Sequence, residues 1–521
     1  MKLYTPTIAL LMLLNASAAE VKTEKPPNIL LILVDDMGYS DLGCYGGEIN
    51  TPVIDNFASS GLRYSQFYNC ARCWPTRAAL LSGYYPQQIN RDSVLDVRGG
   101  GGGSKRPKWA RLLPYYLKPA GYRSYHTGKW HIDGKPIGNG FDSSLYIGDQ
   151  CRFFSPKTLF KNDKKYKPKE GFYATTAVAD NAIEVLKDHQ INYADKPFFS
   201  FVAFTAPHFP LHALPEDIAR VGDRYKVGWD AIRNQRWERL QKMGLIKGAL
   251  SKVEFNQGPP YNFPKQLTVL GDGEVTRPVP WNDLTEKQKE FQQVKMTIHA
   301  AMIERIDIEV GRIIKQLKTM DAFEDTVIFF LSDNGASAEL MVRGDGHDPE
   351  AAPGSAGSYL CLGPGWSTVA NTPFRKHKTW THEGGSCTPF IVHWPKQTAP
   401  LGAIRETPGH VIDIVPTILD LAGVKTAKQR VAFPGQSLLP SFKEDSGDDR
   451  TLWWSHIGNH ALRSGDWKLV KTSKGKWELY RISEDRAETA NLADQYPEKV
   501  EELKKQWEAQ VEEMRQLRKL K

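Results

Sequence analysis

The chain has six cysteines in 521 residues, at positions 44, 70, 73, 151, 361 and 387. So sparse a set excludes a scaffold built on disulfides and leaves the fold to a hydrophobic core; which cysteines pair is not written in the sequence. Beyond the N-terminus no apolar run is long enough to span a bilayer. No lysine or arginine block of the kind that grips nucleic acid stands out, and the net charge of +8 is scattered along the chain. There is no internal repeat, which excludes solenoids and propellers.

The N-terminus is of another kind. Lys2 precedes an apolar stretch over 8–14 and the small residues Ala16-Ser17-Ala18-Ala19. This layout predicts a signal peptide over 1–19, hence an exported protein, periplasmic or secreted, with no membrane attachment after cleavage. The remaining length suits one large domain, over 26–435, and a small C-terminal subdomain over 436–521.

Asn28-Ile29-Leu30-Leu31-Ile32-Leu33-Val34 reads as a buried parallel strand. Similar runs recur at 197–204, 326–331 and 389–394, and a helical periodicity covers 285–320. Strands alternating with helices predict an α/β fold: a large, mostly parallel mixed sheet sandwiched by helices. Alternating patterns at 467–470 and 477–480 add a small C-terminal antiparallel sheet, followed by a terminal helix from 497. The segment 229–250 reads as a helical insertion, the five-glycine run 99–103 as a flexible loop, and 345–372 as a long loop of functional type.

Two of the strands end in acids. Asp35-Asp36 follows the first, and Asp333-Asn334 follows the strand at 326–331. Ligands of open α/β sheets bind at such carboxyl ends. An oxygen-only set of this kind suits Ca²⁺ or Mg²⁺, Ca²⁺ being preferred here, and not Zn²⁺.

The stretch Cys73-Trp74-Pro75-Thr76-Arg77, with Ser82-Gly83 following, resembles the signature of the type I sulfatases, in an arylsulfatase-like branch of the alkaline phosphatase superfamily. The family most often has Ser where this chain has Thr76. The resemblance implies that Cys73 is oxidised to Cα-formylglycine by a formylglycine-generating or anaerobic sulfatase-maturing enzyme. It implies that Asp35, Asp36, Asp333, Asn334 and residue 73 ligate one divalent cation. Gly128-Lys129-Trp130-His131, Ala206-Pro207-His208 and Lys378 before Glu383-Gly384-Gly385 match further family segments. By resemblance, Lys129 and Lys378 bind sulfate, His131 regenerates the aldehyde and His208 protonates the leaving oxygen. Arg77, one turn into the predicted Cys73 helix, is expected to point back at the same place. If the register slips, Arg375 or Lys376 replaces Lys378. His347, His382, His456 and Asn459 are candidates for substrate contact. The implied reaction is hydrolysis of a sulfate monoester on an aryl group or a sulfated glycan. The alternatives are a phosphomonoester or phosphonate ester hydrolase on the same fold and a non-enzymatic binder of sulfated glycans.

Overall fold

The computed structural model describes residues 25–93, 101–261, 263–396, 401–425, 430–447 and 450–520. The expected signal peptide and part of the glycine run lie outside the described residues.

The strand Asn28–Val34 is the centre of an eleven-stranded sheet. It pairs in parallel with Phe198–Ala203 on one side and Thr326–Ser332 on the other. Arg123–Lys129 then pairs in parallel with Phe198–Ala203, and Ser143–Ile147 in parallel with Arg123–Lys129. All seven residues of the central strand are buried, because its two faces feed two different cores. Leu30, Ile32 and Val34 pack with Ile298, Ile306 and Val310 of the long helix Glu286–Thr319. Ile29, Leu31 and Leu33 pack with Leu80 and Ile418 on the opposite face. An apolar residue at every strand position is what a sheet covered on both faces requires.

Three expectations need correction. The run at 389–394 lies in Cys387–His393, which pairs antiparallel with both of its neighbours, Leu62–Tyr68 and Thr326–Ser332. Unbroken hydrophobicity reports burial on both faces and is blind to strand direction. The segment read as a loop over 345–372 contains the helix Gly363–Ala370, whose Trp366 is wholly buried. The insertion read as helix over 229–250 ends its helix at Lys242. Its Trp229 packs edge-on against Trp281 and Trp366, so this helix is core and not pocket wall.

The helix expected over 285–320 is Glu286–Thr319, and Thr285 and Gln288 close its first turn as a reciprocal capping box. All six cysteines are free thiols. At the C-terminus, four strands in sequence order, from Thr451–His456 to Glu478–Arg481, form an antiparallel sheet. The helix Pro497–Arg518 covers it, with Trp507 stacked on Trp453 at 5.6 Å between ring centroids. The small sheet meets the large one through buried charge: Lys468 and Arg486 both pair with Glu383, at 2.7 and 3.1 Å. Such pairs add little net stability against apolar packing, but removal of one partner is costly, which fixes the docking.

Candidate active site

Strand register assembles the site. Val34 lies opposite Ser332, so Asp35-Asp36 and Asp333-Asn334 leave the sheet side by side. Leu33 lies opposite Ala203, and the Asp35 N–H donates to the Ala206 carbonyl at 3.2 Å, which brings the His208 turn alongside. Gly128 also lies opposite Ala203 and delivers Lys129 at the same edge. A side chain at Gly128 would put its Cβ 1.9 Å from the Ala203 carbonyl oxygen, so only glycine allows this approach.

The Cys73 helix, Cys73–Ser82, begins beneath that edge, with Pro75 in its first turn. Thr76 Oγ1 accepts the Cys70 N–H at 3.0 Å and closes the turn before the helix, whose N-cap residue Arg72 makes no side-chain capping hydrogen bond. Burial raises the Cys73 thiol pKa. Lys129 and Lys378 pull it down and Asp35 and Asp333 push it up, with a net upward shift. All four charges therefore act on residue 73.

Asp35, Asp36 and His208 place one ligand atom each within 4.8 Å of one another. Two buried oxygens at this edge, Asp35 Oδ1 and Asn334 Oδ1, have no hydrogen-bond partner among the described residues. Unpaired buried acceptors beside carboxylates are what a hard cation satisfies. The residues therefore fit a divalent metal ion. Burial alone would raise the Asp35 pKa, but Lys129, His208, Arg77 and Lys378 together hold it far below the carboxylate range. Burial and the Asp35 charge push Asp333 up.

Lys129 Nζ contacts Asp35 Oδ2, and Lys378 Nζ sits 2.8 Å from Asp36 Oδ1 and 3.1 Å from Glu339 Oε2. Burial would lower the Lys378 pKa, yet Asp36 and Glu339 keep it well above the ordinary value. The two lysines thus bracket the acids beside Cys73. Arg375 and Lys376, the alternatives to Lys378, turn away and pair with Glu254 at 2.9 and 2.8 Å.

His208 Nδ1 lies 2.5 Å from the Phe209 carbonyl, which sets the tautomer with Nδ1–H and leaves Nε2 3.7 Å from Asp36 Oδ2. Burial lowers its pKa to about 4, against an opposing pull from Asp36. Burial, then Lys129 and Arg77, drive His131 well below the ordinary imidazole value. Both shifts favour the neutral imidazole. Asp36 and His131 have φ of 65° and 56°, uncommon outside glycine and concentrated at functional sites.

Arg77 turns back to the acids beside Cys73, and Cys73 is itself among the groups that act on its charge. Its Nε donates to Asp333 at 2.9 Å, Nη1 to the Lys129 carbonyl at 3.0 Å, and Nη2 lies 3.5 Å from Asp35. Its Nη2 is buried with no hydrogen-bond partner among the described residues. Three of the four substrate candidates make structural contacts. His382 is wholly buried, 3.6 Å from Glu478, and starts the short Glu383 turn. Asn459 donates to the Thr379 and His456 carbonyls and accepts from the Ser473 N–H. His347 accepts the Tyr359 N–H at 2.8 Å and braces its own loop. Only His456 reaches the site, with its ring edge-on to Trp74 at 5.4 Å.

Sequence reasoning missed Arg72 and Glu339. Arg72 pairs with Glu339 at 3.1 Å, donates to Thr379 Oγ1 at 2.7 Å and lies over the Trp74 ring at 5.0 Å. Glu339 joins that arginine to Lys378. Only the adjacency of Arg72 to Cys73 could have pointed to it; Glu339 carries no local signal.

A hard-cation acid cluster, paired lysines and a buried cysteine at a helix start, all at the carboxyl edge of an α/β sheet, describe a hydrolase of anionic esters. Known proteins agree. The sulfatase family model matches residues 27–424, and the model of the C-terminal region of N-sulphoglucosamine sulphohydrolase matches 375–517. The chain belongs to the sulfatase family and is a sulfuric ester hydrolase. An uncharacterized sulfatase of Schizosaccharomyces pombe is 31% identical, over 93% of each chain. N-acetylgalactosamine-6-sulfatase of Rattus norvegicus is 28% identical, over 94% of this chain and 79% of its own. Among solved structures, Ps i-CgsB in complex with a neocarrahexaose superposes with a TM-score of 0.67 at 24% identity, covering 94% of this chain and 93% of that one.

Proposed function

We propose that this sulfatase removes sulfate from a sulfated carbohydrate, with Cys73 converted to Cα-formylglycine and one Ca²⁺ ion, or Mg²⁺ in its place. The observation that carries the reading is the convergence of Lys129 and Lys378 on a buried Cys73, beside acids with oxygens unpaired among the described residues, with His131 and His208 acting on the same Asp35. The relative named N-acetylgalactosamine-6-sulfatase supports a sugar ester, while the Klebsiella aerogenes relative named arylsulfatase, 29% identical, keeps an aryl sulfate as the alternative substrate.

Asp35, Asp36, Asp333 and Asn334 would hold the cation, which supplies Lewis-acid stabilisation of charge on sulfuryl oxygens. The hydrated aldehyde supplies a nucleophile that can expel sulfate by elimination. The protein's own side chains do the rest. Lys129 and Lys378 bind and orient the sulfate, and Glu339 keeps Lys378 charged and placed. His208 receives a proton at Nε2 when the anionic ester binds and gives it to the departing alcohol oxygen. His131 takes a proton from residue 73 when the aldehyde is regenerated. Arg77 keeps Asp35 and Asp333 together. Cys73 is 3% exposed, so a maturing enzyme has to reach it before the fold closes. The expected signal peptide supports export, to the periplasm or out of the cell.

The test is mass spectrometry of the residue-73 peptide from a host that makes formylglycine, with sulfate release from sulfated sugars assayed on the same batch. An aldehyde with sulfate release supports the reading. An aldehyde with turnover of phosphate esters alone would replace it with phosphoester hydrolysis.

A further inference from the structure

Against Trp74, the residue after Cys73, the small C-terminal sheet delivers a histidine that the mechanism above does not use. His456 ends the strand Thr451–His456 and is 2% exposed. Its Nδ1 lies 2.8 Å from Asp92 Oδ2. A carboxylate accepts only, so Nδ1 carries the proton and Nε2 presents a lone pair. Nε2 is buried and has no partner among the described residues. Its ring neighbour Trp74 follows Cys73 directly in the helix and stands edge-on to His131 at 5.9 Å. The Trp74 indole N–H is also buried without a partner among the described residues.

Asp92 is fixed in turn. Gln87 Nε2 donates to its Oδ2 at 3.3 Å, and Arg518, at the end of the terminal helix, donates to its carbonyl at 2.9 Å. A histidine ring locked this firmly, with one nitrogen left unsatisfied at a cost, is built to accept a hydrogen bond. The acceptor at Nε2 and the donor at Trp74 belong to rings 5.4 Å apart. A pyranose hydroxyl both donates and accepts. An aryl ring offers neither group and can use only the indole surface.

We propose that His456, oriented by Asp92, and Trp74 form the subsite that recognises a hydroxyl of the sulfated sugar, so that the C-terminal sheet selects the alcohol half of the ester. This rests on the sulfatase reading above and adds the residue that discriminates sugars from aryl groups. Asp92 is a positioning residue: it acts through the imidazole.

The experiment compares matured wild type, His456→Ala and Asp92→Asn on 4-nitrophenyl sulfate and on galactose, N-acetylgalactosamine and N-acetylglucosamine sulfated at single positions. The expected result is that His456→Ala lowers the sugar-to-aryl ratio of kcat/KM by about tenfold to a hundredfold, the range for an unpaired hydrogen bond in a buried site. Asp92→Asn can donate to Nδ1, which moves the ring proton to Nε2 and removes the acceptor, so it lowers the same ratio while the ring remains. Melting temperatures identify a variant that has not folded, and Asp92→Asn then carries the test. Equal losses on both substrate types, or no loss in the ratio, overturn the proposal. Turnover of the aryl sulfate with none of the sugars overturns the sugar subsite and leaves the sulfatase reading intact. No sulfate release from any of these esters by matured wild type counts against the function proposed above.

Discussion

Arg77 Nε donates to Asp333 Oδ2 at 2.9 Å, with both side chains wholly buried. The arginine of the Cys-x-Pro-Thr-Arg motif thus ties the helix that carries residue 73 to the acid at the end of the strand Thr326–Ser332. Through Nη1 it also holds the backbone of Lys129. One planar side chain sets the spacing of the Cys73 helix, Asp333 and the Lys129 backbone.

Arg77→Ala leaves Asp333 and Asp35 without their guanidinium partner in a dry interior. The expected loss is about 3–5 kcal/mol of stability, the range for a broken buried pair. Urea unfolding of cation-free protein checks it. A change below about 1 kcal/mol would show that the lysines compensate.

Lys129→Ala and Lys378→Ala each remove a cation that, in the proposed function, meets the sulfuryl oxygens. Each is expected to lower kcat/KM on an aryl sulfate by about 10²–10³-fold with saturating Ca²⁺ present, as for loss of one charge-stabilising donor. Glu339→Gln acts through Lys378, and a loss of about tenfold or less is expected for it. Steady-state kinetics of the three variants orders them, and a Glu339→Gln variant as inactive as Lys378→Ala would contradict the assignment.

Chelation is expected to abolish turnover, and Ca²⁺ to restore it. Because the acids are gathered only in the folded chain, Ca²⁺ should also raise the melting temperature, with about 2.7 kcal/mol gained at a hundredfold excess over Kd. Asp35→Asn should flatten that rise. Calorimetry with and without Ca²⁺ reads it independently of activity.

Glu478 pairs with Arg375 at 2.8 Å and faces His382, joining the small sheet to the loop before Lys378. Burial opposes its ionisation, but His382, Tyr480 and Arg375 bring its pKa from 4.5 to about 2. The folded pKa is depressed, so this stabilisation is complete above about pH 4.5 and disappears as pH falls toward 2. Discounted for solvent screening of a partly exposed carboxylate, it is worth on the order of 1–2 kcal/mol. The gap in urea midpoint between wild type and Glu478→Gln should be open at pH 7 and nearly closed at pH 2. A gap of constant size would refute the coupling.

His382 stands at the same junction and not in the pocket. His382→Ala is expected to cost about 1–3 kcal/mol of stability and to leave KM for an aryl sulfate within about twofold. A large KM effect with unchanged melting would return it to the substrate wall.

The sequence by itself determined the central strands, the acids at their carboxyl ends, the motif around Cys73 and the segments bearing Lys129, His131, His208 and Lys378. These were legible because apolar runs of strand length, helix capping and short motifs are local patterns, read within a few residues. It did not determine that the strand Cys387–His393 runs antiparallel, because an apolar run looks the same in either direction. Nor could it separate His456 from His382, two histidines in polar segments. The tertiary structure separated them: one ring is delivered beside Trp74 by the C-terminal sheet, and the other is sealed against Glu478. Arg72, Glu339 and Asp92 were invisible for the same reason. Their partners lie 267, 39 and 364 residues away along the chain, at Glu339, Lys378 and His456, and only the closed fold brings those charges within reach.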